Sequence, residues 1–331
     1  MEKTRFGRTD LDVSRLTFGC GAVGGLMTAG EPADQDRAVA WARDHGINHF
    51  DTAPSYGNFA SENNLGRALG GNRDGIIVST KVGVVVSDDN DIAGAIRTSI
   101  EASLTRLQQD RVDIFQLHNT LEAPDARGVL TADRVLNDVV PAFMKLRDEG
   151  KTRFLGFTAK GGTDALHKLV ESGCFDSAQI FYNMLVPSAG EPVPDGYPAQ
   201  DYRQLLNAAK QNGVGSIGVR VLAGGALSGS EARHPLGTQT VTPIGSGEDY
   251  ATDVKRALRF APVVAAGHAT SLPELAVRYA ISNPALSTVE IGIATLDQLQ
   301  QAVAAVEKGP LSKEALAEIR EIQTGLASAT A

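Results

Sequence analysis

The chain reads as an α/β protein whose strands and helices alternate eight times, the pattern of a (β/α)8 barrel. Three observations predict this. Short apolar runs with strand periodicity alternate with amphipathic stretches of helical periodicity from one end to the other. No linker divides the alternation, which favours one closed barrel over two open sheets. A length of 331 residues suits a barrel with loop insertions, so residues 1–331 are expected to form one domain.

The elements follow in order. After a polar start with a tight turn at Thr9-Asp10, strands are expected at 15–20, 47–53, 75–82, 111–118, 152–158, 177–182, 214–222 and 288–293. Between them come helices at 35–45, 62–69, 92–107, 132–148, 163–172, 202–211 and 271–282, and the eighth strand is followed by one at 296–306. Gly46, Gly70, Gly150 and Gly173 stand where helices end, as C-terminal glycines do. A last helix at 312–326 lies outside the repeat. Two connections are long: 184–201 carries four prolines, and 223–253 is rich in Gly and Ser. Connections of that length are often lids or binding loops. The prediction is therefore a TIM barrel with long loops at its carboxyl face and an extra C-terminal helix.

Composition narrows the function. The net charge is −8 and no dense run of Lys and Arg occurs, so the broad footprint of a nucleic-acid binder is missing. A small anionic cofactor needs only a few local amides or cations. Two cysteines, Cys20 and Cys174, without metal-ligand spacing imply neither a disulfide framework nor a metal site. The N-terminus lacks the apolar core of a signal peptide, and no apolar run is long enough to span a bilayer. A cytoplasmic protein with no membrane partner is expected; nothing indicates its oligomeric state.

In such a barrel the chemistry lies at the carboxyl ends of the strands. Strand two ends in Phe50-Asp51-Thr52-Ala53 and runs on through Pro54-Ser55 to Tyr56; strand three ends at Lys81 and strand four at His118. Strand alternation puts Ile77, Ser79 and Lys81 on one face, and Val112, Ile114, Gln116 and His118 on another. An inward acid and an inward cation are costly unless paired, and Asp51 and Lys81 are on neighbouring strands. That set suits carbonyl reduction, because the substrate oxygen needs a proton as hydride reaches its carbon. Tyrosine, with an ordinary pKa of about 10, is a poor acid; a nearby lysine is expected to lower that value. Asp51 would keep Lys81 charged, and His118 would bond the carbonyl or assist proton transfer. Singly, each has a plain structural explanation as a cap, a surface aromatic, a solvated cation or a core histidine. Their joint placement at adjacent strand ends points to a site.

These residues resemble the aldo-keto reductase family. Asp51-Thr52-Ala53-Pro54-Ser55-Tyr56-Gly57, Ser79-Thr80-Lys81-Val82-Gly83 and Asp113-Ile114-Phe115-Gln116-Leu117-His118 are similar to its signature segments, in order, over nearly the whole chain. The resemblance implies a catalytic tetrad of Asp51, Tyr56, Lys81 and His118, with Tyr56 as acid/base. It also implies NAD or NADP. Gln179 and Thr158 match positions at the nicotinamide carboxamide, and Leu222 and Gly224, with Arg220 nearby, match the loop at the pyrophosphate. Gly292, Ile293, Thr295, Gln298 and Gln301 match the adenosine half, where a helix N-terminus favours phosphate. The chain departs from the family at Ala302, where Asn is usual, and at Thr158-Ala159, where Ser-Asn is usual. Ile293, Ala294 and Gln298 supply no cation for a 2′-phosphate, which favours NAD.

The segments Gly156-Phe157-Thr158-Ala159-Lys160-Gly161 and Arg220-Val221-Leu222-Ala223-Gly224-Gly225 resemble the branch holding aldose, sugar-lactone-forming and pyridoxal-oxidising enzymes. A small carbonyl or sugar substrate is expected, with Asn183, Tyr56 and His118 against it. Two other readings fit these residues less well. A redox-sensing partner protein that binds cofactor without turnover would gain nothing from an intact tetrad. A metal-assisted hydrolase lacks convergent His and Asp residues.

Overall fold

The computed structural model describes residues 1–85 and 91–328. Each apolar run becomes a strand because both of its faces find cover: helices outside, and a packed polar interior inside. The strands are β1 (Leu16–Gly19), β2 (His49–Asp51), β3 (Ile77–Val82) and β4 (Val112–Leu117). They continue as β5 (Thr152–Thr158), β6 (Ser177–Phe181), β7 (Gly215–Val219) and β8 (Thr288–Gly292). All are parallel and follow one another around a closed barrel, β8 returning to β1.

Between and after them run α1 (Pro32–Asp44), α2 (Ala60–Leu69), α3 (Ile92–Leu107) and α4 (Val140–Asp148). The later four are α5 (Thr163–Glu171), α6 (Leu205–Gln211), α7 (Leu272–Ile281) and α8 (Leu296–Glu307). The outward strand residues pack on these helices. Phe115 lies 4.9 Å from Phe143 of α4, ring centre to ring centre, and Phe18 lies 5.4 Å from Phe50. Burying each such ring contributes about 1.5–3 kcal/mol.

Inward positions carry Thr17, His49, Asp51, Ser79, Lys81, Gln116, Ser177, Gln179 and Thr288, all at most 3% exposed. Long polar side chains fit there because some neighbouring positions are glycine. A Cβ on Gly156 would lie 2.3 Å from Ser177 Oγ and 2.9 Å from Gln116 Cγ.

Three features differ from the sequence reading. The polar start is a hairpin, Lys3–Arg5 paired with Asp12–Ser14, which sets Phe6, Leu11 and Val13 against Ile77, Ile114 and Ile217. That plug closes the amino end of the barrel. The stretch expected as one helix over 132–148 begins with one turn at Ala132–Arg134 and widens into a π turn at Val135–Val139 before α4. Pro141 has no N–H to continue the regular ladder, which accounts for the wider turn. The connection before α7 is not all loop. It holds helices Tyr250–Leu258 and Ala261–Ala265.

The terminal helix, Lys313–Ser328, lies outside the repeat as expected. Its Gln323 Nε2 donates to Met184 O at 2.9 Å, which ties it to the loop after β6.

Candidate active site

Strand register assembles the site. Asp51 is the last residue of β2 and stands level with Gly19 on one side and Ser79 on the other. Lys81 is level with Gln116, and His118 prolongs the β3–β4 ladder, its N–H donating to Val82 O at 2.8 Å. Tyr56 comes from the turn after β2. Its N–H donates to Ala53 O at 3.1 Å and its carbonyl accepts from Ser61 N at 3.2 Å, folding the turn back over the mouth. Gly57 makes that reversal possible: its φ is +62°, and a Cβ there would lie 2.8 Å from Thr28 Cβ.

Asp51 and Lys81 are fully buried and directly paired. An ammonium has three donors, and two of them are placed. One goes to Asp51 Oδ2 and one to Thr52 O at 3.0 Å. Lys81 Nζ also lies 4.7 Å from the Tyr56 ring centre. His118 meets the same ring edge-on, with ring centres 5.8 Å apart.

Asp51 has further donors. Oδ1 accepts from Ser79 Oγ at 2.6 Å and from Gln116 Nε2 at 2.9 Å. Because Ser79 donates to Asp51, it must accept from His49 Nε2, 3.0 Å away. His49 Nδ1 then accepts from Thr17 Oγ1 at 2.9 Å, which accepts from Thr288 Oγ1 at 2.9 Å. Every dipole in this chain of donors points at the Asp51 carboxylate.

These contacts set the charges. Burial works against ionised Asp51, but Lys81 and Ser79 outweigh it and hold the carboxyl below its usual range. Burial opposes a charged Lys81 too; Asp51 outweighs it and the ammonium is held above its usual range. Burial pushes His118 down to about 3, with Lys81 assisting, and pushes His49 down to about 4, so both imidazoles are neutral.

Tyr56 corrects a sequence expectation. Lys81 does pull the phenol down, but burial is the larger effect, and Asp51 and Glu290 cancel part of the cation's pull. The net result is a phenol pushed up to about 12.

The residues matched to a cofactor lie along one side of the same mouth. Gln179 is level with Thr158, accepts from Thr158 Oγ1 at 3.1 Å, and donates through Nε2 to Glu290 Oε2 at 2.9 Å. After β7 the backbone turns through Leu222 into a tight helical turn at Ala223–Ser228, with Gly224 at φ +68° and Gly225 at φ +111°. A Cβ on Gly224 would lie 2.6 Å from Val241 Cγ1 and 2.7 Å from Arg220 Nη1, so only glycine leaves that surface open.

Arg233, which sequence reasoning missed, joins three segments there. Its Nη1 donates to Gly224 O at 2.6 Å and its Nη2 to Val23 O at 3.2 Å, while Thr238 N donates to Ala22 O at 2.9 Å. Leu26 N in turn donates to Ile293 O at 3.1 Å. The turn at Gly224 and the backbone at Ile293 are thereby both tied to the loop after β1.

Among the described residues neither Arg220 nor Arg233 pairs with a carboxylate. At the far end Thr295 caps α8, accepting from Gln298 N at 3.3 Å, while Gln298 Oε1 accepts from Ala294 N at 2.8 Å. Gln298 and Gln301 are exposed on α8. Asn183, expected against substrate, has its amide committed to backbone after β7 and β6: Nδ2 donates to Arg220 O at 2.8 Å and Oδ1 accepts from Leu185 N at 2.8 Å.

The closed parallel barrel thus carries a paired Asp–Lys couple, a phenol and an imidazole at its mouth. The chain belongs to the aldo/keto reductase family, which its residues 15–324 match. It is 30% identical to L-galactose dehydrogenase of Arabidopsis thaliana, with 97% of this chain and 94% of that protein covered. It is 28% identical to D-threo-aldose 1-dehydrogenase of a Pseudomonas species, with 88% of each covered. Among solved structures it is similar to the holo form of aldo-keto reductase AKR11C1 from Bacillus halodurans, with 25% identity, a TM-score of 0.72, and 97% and 96% of the two chains covered. The chain is an oxidoreductase. No helix among the described residues is long and apolar enough to cross a membrane.

Proposed function

We propose that this chain interconverts a carbonyl, as aldehyde, ketone or sugar hemiacetal, with an alcohol or lactone, using NAD or NADP and Tyr56 as acid/base. The observation that carries the reading is a fully buried Lys81 that donates to Asp51 and Thr52 O with its Nζ 4.7 Å from the centre of the Tyr56 ring. A buried ammonium–carboxylate couple set against a phenol has no structural necessity in a barrel mouth. It does have a use wherever a phenol must give up or regain a proton.

A bound nicotinamide supplies or receives the hydride. The protein manages the proton. With its value near 12, Tyr56 is protonated at neutral pH and ready to donate to a carbonyl oxygen. As its proton leaves, the Lys81 ammonium is already beside the phenol and stabilises the charge that forms. His118, neutral and edge-on to the Tyr56 ring, is placed to bond the carbonyl and fix its approach. In the opposite direction Tyr56 must first ionise, and about one molecule in 10⁵ is ionised at pH 7.

A dinucleotide would lie along the segments that Arg233 and Leu26 tie together. Gln179 and Thr158 would hold the carboxamide. The glycine turn with Leu222, Gly224 and the carboxylate-free Arg220 would take the pyrophosphate. Gly292, Ile293, Thr295, Gln298 and Gln301 would take the adenosine end. That end presents Ile293, Ala294 and two glutamines and no cation, which supports NAD over NADP. The names of the two sugar dehydrogenases support an aldose as substrate class. The whole chain is taken as one barrel domain, with a cytoplasmic location.

Incubating purified protein with NAD⁺ or NADP⁺ and a panel of aldoses, and with NADH or NADPH and aldehydes, tests the reading through absorbance at the nicotinamide band. Turnover of at least one pair is expected. Tight cofactor binding with no turnover across the panel would contradict it.

A further inference from the structure

A second buried carboxylate lies behind the tetrad. Glu62 is in the first turn of α2, and its side chain is 0% exposed. Its two oxygens are held from different elements. Oε1 accepts from Thr80 Oγ1 of β3 at 2.6 Å, and Oε2 accepts from Arg106 Nε of α3 at 2.6 Å. Thr80 directly precedes Lys81 and faces the helices, as alternation requires when Lys81 faces the barrel interior. Arg106 is held in turn: Nη2 donates to Ser103 Oγ at 3.1 Å, and the guanidinium lies 4.6 Å from the centre of the Phe59 ring.

The stretch that leads from Tyr56 into this helix turn is strained. Gly57, Asn58 and Phe59 have φ of +62°, +50° and +74°, three left-handed residues in succession, and only the first is glycine. Such a run persists where its surroundings hold it. Phe59 N donates to Pro54 O at 2.8 Å and Ser61 N to Tyr56 O at 3.2 Å. Ser61 Oγ donates to Cys20 O at 2.9 Å, so it accepts from Thr52 Oγ1, 2.7 Å away. These bonds join the turn to β2 and to the loop after β1. Glu62 joins it to β3, the strand that carries Lys81.

We propose that Glu62, held by Arg106, is a positioning residue of the reaction: it ties the helix turn that follows the proton donor to the strand residue that precedes the ammonium. This rests on the roles given above to Tyr56 and Lys81. Out of water, a carboxylate paired with an arginine holds its donors more tightly than a neutral acceptor does. A displacement of about 1 Å between reacting groups costs about 10²-fold in rate, so the tie acts on the chemical step.

Thr80→Val removes the hydroxyl that Glu62 holds and keeps the branched shape on the strand; Thr80→Ser keeps the hydroxyl. Each is premixed with NADH and given excess glyceraldehyde in a single turnover. The rate constant of Thr80→Val should fall about tenfold at full amplitude, with cofactor Kd and the KM for the aldehyde within about threefold of the parent. Thr80→Ser should recover the rate constant to within about threefold of the parent. Glu62→Ala, which loses both bonds, should be slower still, by about 10²-fold.

A reduced amplitude at the parental rate constant would mean that Glu62 serves only the fold, and the proposal is wrong. It is equally wrong if Thr80→Val matches the parent, or if Thr80→Ser is as slow as Thr80→Val. Tyr56→Phe run alongside distinguishes the levels: an active Tyr56→Phe removes the tetrad reading itself, whereas an inactive one with an unaffected Thr80→Val removes only the tie.

Discussion

Replacing Lys81 by Met removes one member of a fully buried ion pair and leaves the other. Lys81 and Asp51 are both 0% exposed, so solvent cannot take up the difference. Breaking such a pair ordinarily costs about 3–5 kcal/mol. Here Asp51 keeps Ser79 and Gln116 as donors, which places the cost at about 3 kcal/mol at pH 8. The pH dependence has a definite sign. In the parent, Asp51 is held below its unfolded value, so it contributes stability above that value and loses it as pH falls. Without Lys81, burial dominates and Asp51 moves above its unfolded value. The variant then carries a penalty that is largest at neutral and alkaline pH and relaxes as Asp51 takes a proton. Urea unfolding followed by circular dichroism at pH 8 and pH 5 measures it. A deficit under about 1 kcal/mol, or one equal at the two pH values, would refute the claim that this couple is buried and charged.

Further outcomes follow from the same geometry. Because the Tyr56 phenol sits near 12, alcohol oxidation at saturating cofactor should rise about tenfold per pH unit between 7 and 9, while carbonyl reduction stays flat; an oxidation rate that levels off near pH 8 would show a more acidic phenol. Gly25 has φ +93°, and a Cβ there would lie 1.9 Å from Leu236 O, so Gly25→Ala should lower stability by about 2 kcal/mol in urea and open 230–240 to proteases. Protection equal to the parent would mean that this segment is not held against the loop after β1. Fluorescence titration should give a lower Kd for NADH than for NADPH, and the reverse order would locate a 2′-phosphate cation outside α8.

Much of this was legible in the sequence. The strands and their helices follow from alternation, and inward parity at β2, β3 and β4 brings Asp51, Lys81 and His118 together. The N-terminal hairpin escaped because strands of three residues with polar outer positions carry no periodic signal. The helices at Tyr250–Leu258 and Ala261–Ala265 left signs that the surrounding Gly and Ser obscured: Asp249 capping Thr252, and Pro262 in a first turn. Glu290 was visible in principle, since Thr288, Glu290 and Gly292 share the inward face of β8. Its partner Gln179 is far away in sequence, and only closure of the barrel brings the two near. The direction of the Tyr56 shift could not be read at all. It depends on whether burial outweighs a cation already neutralised by Asp51, and that balance exists only in three dimensions.

The central claim is that Tyr56 hands over the proton. A single-turnover measurement with Tyr56→Phe, premixed with NADH and then given excess aldehyde, tests it most directly. Cofactor affinity should stay within about threefold of the parent while oxidation of the bound nucleotide slows by about 10²–10⁴-fold. A variant that oxidises its bound cofactor at close to the parental rate would place the proton donor elsewhere.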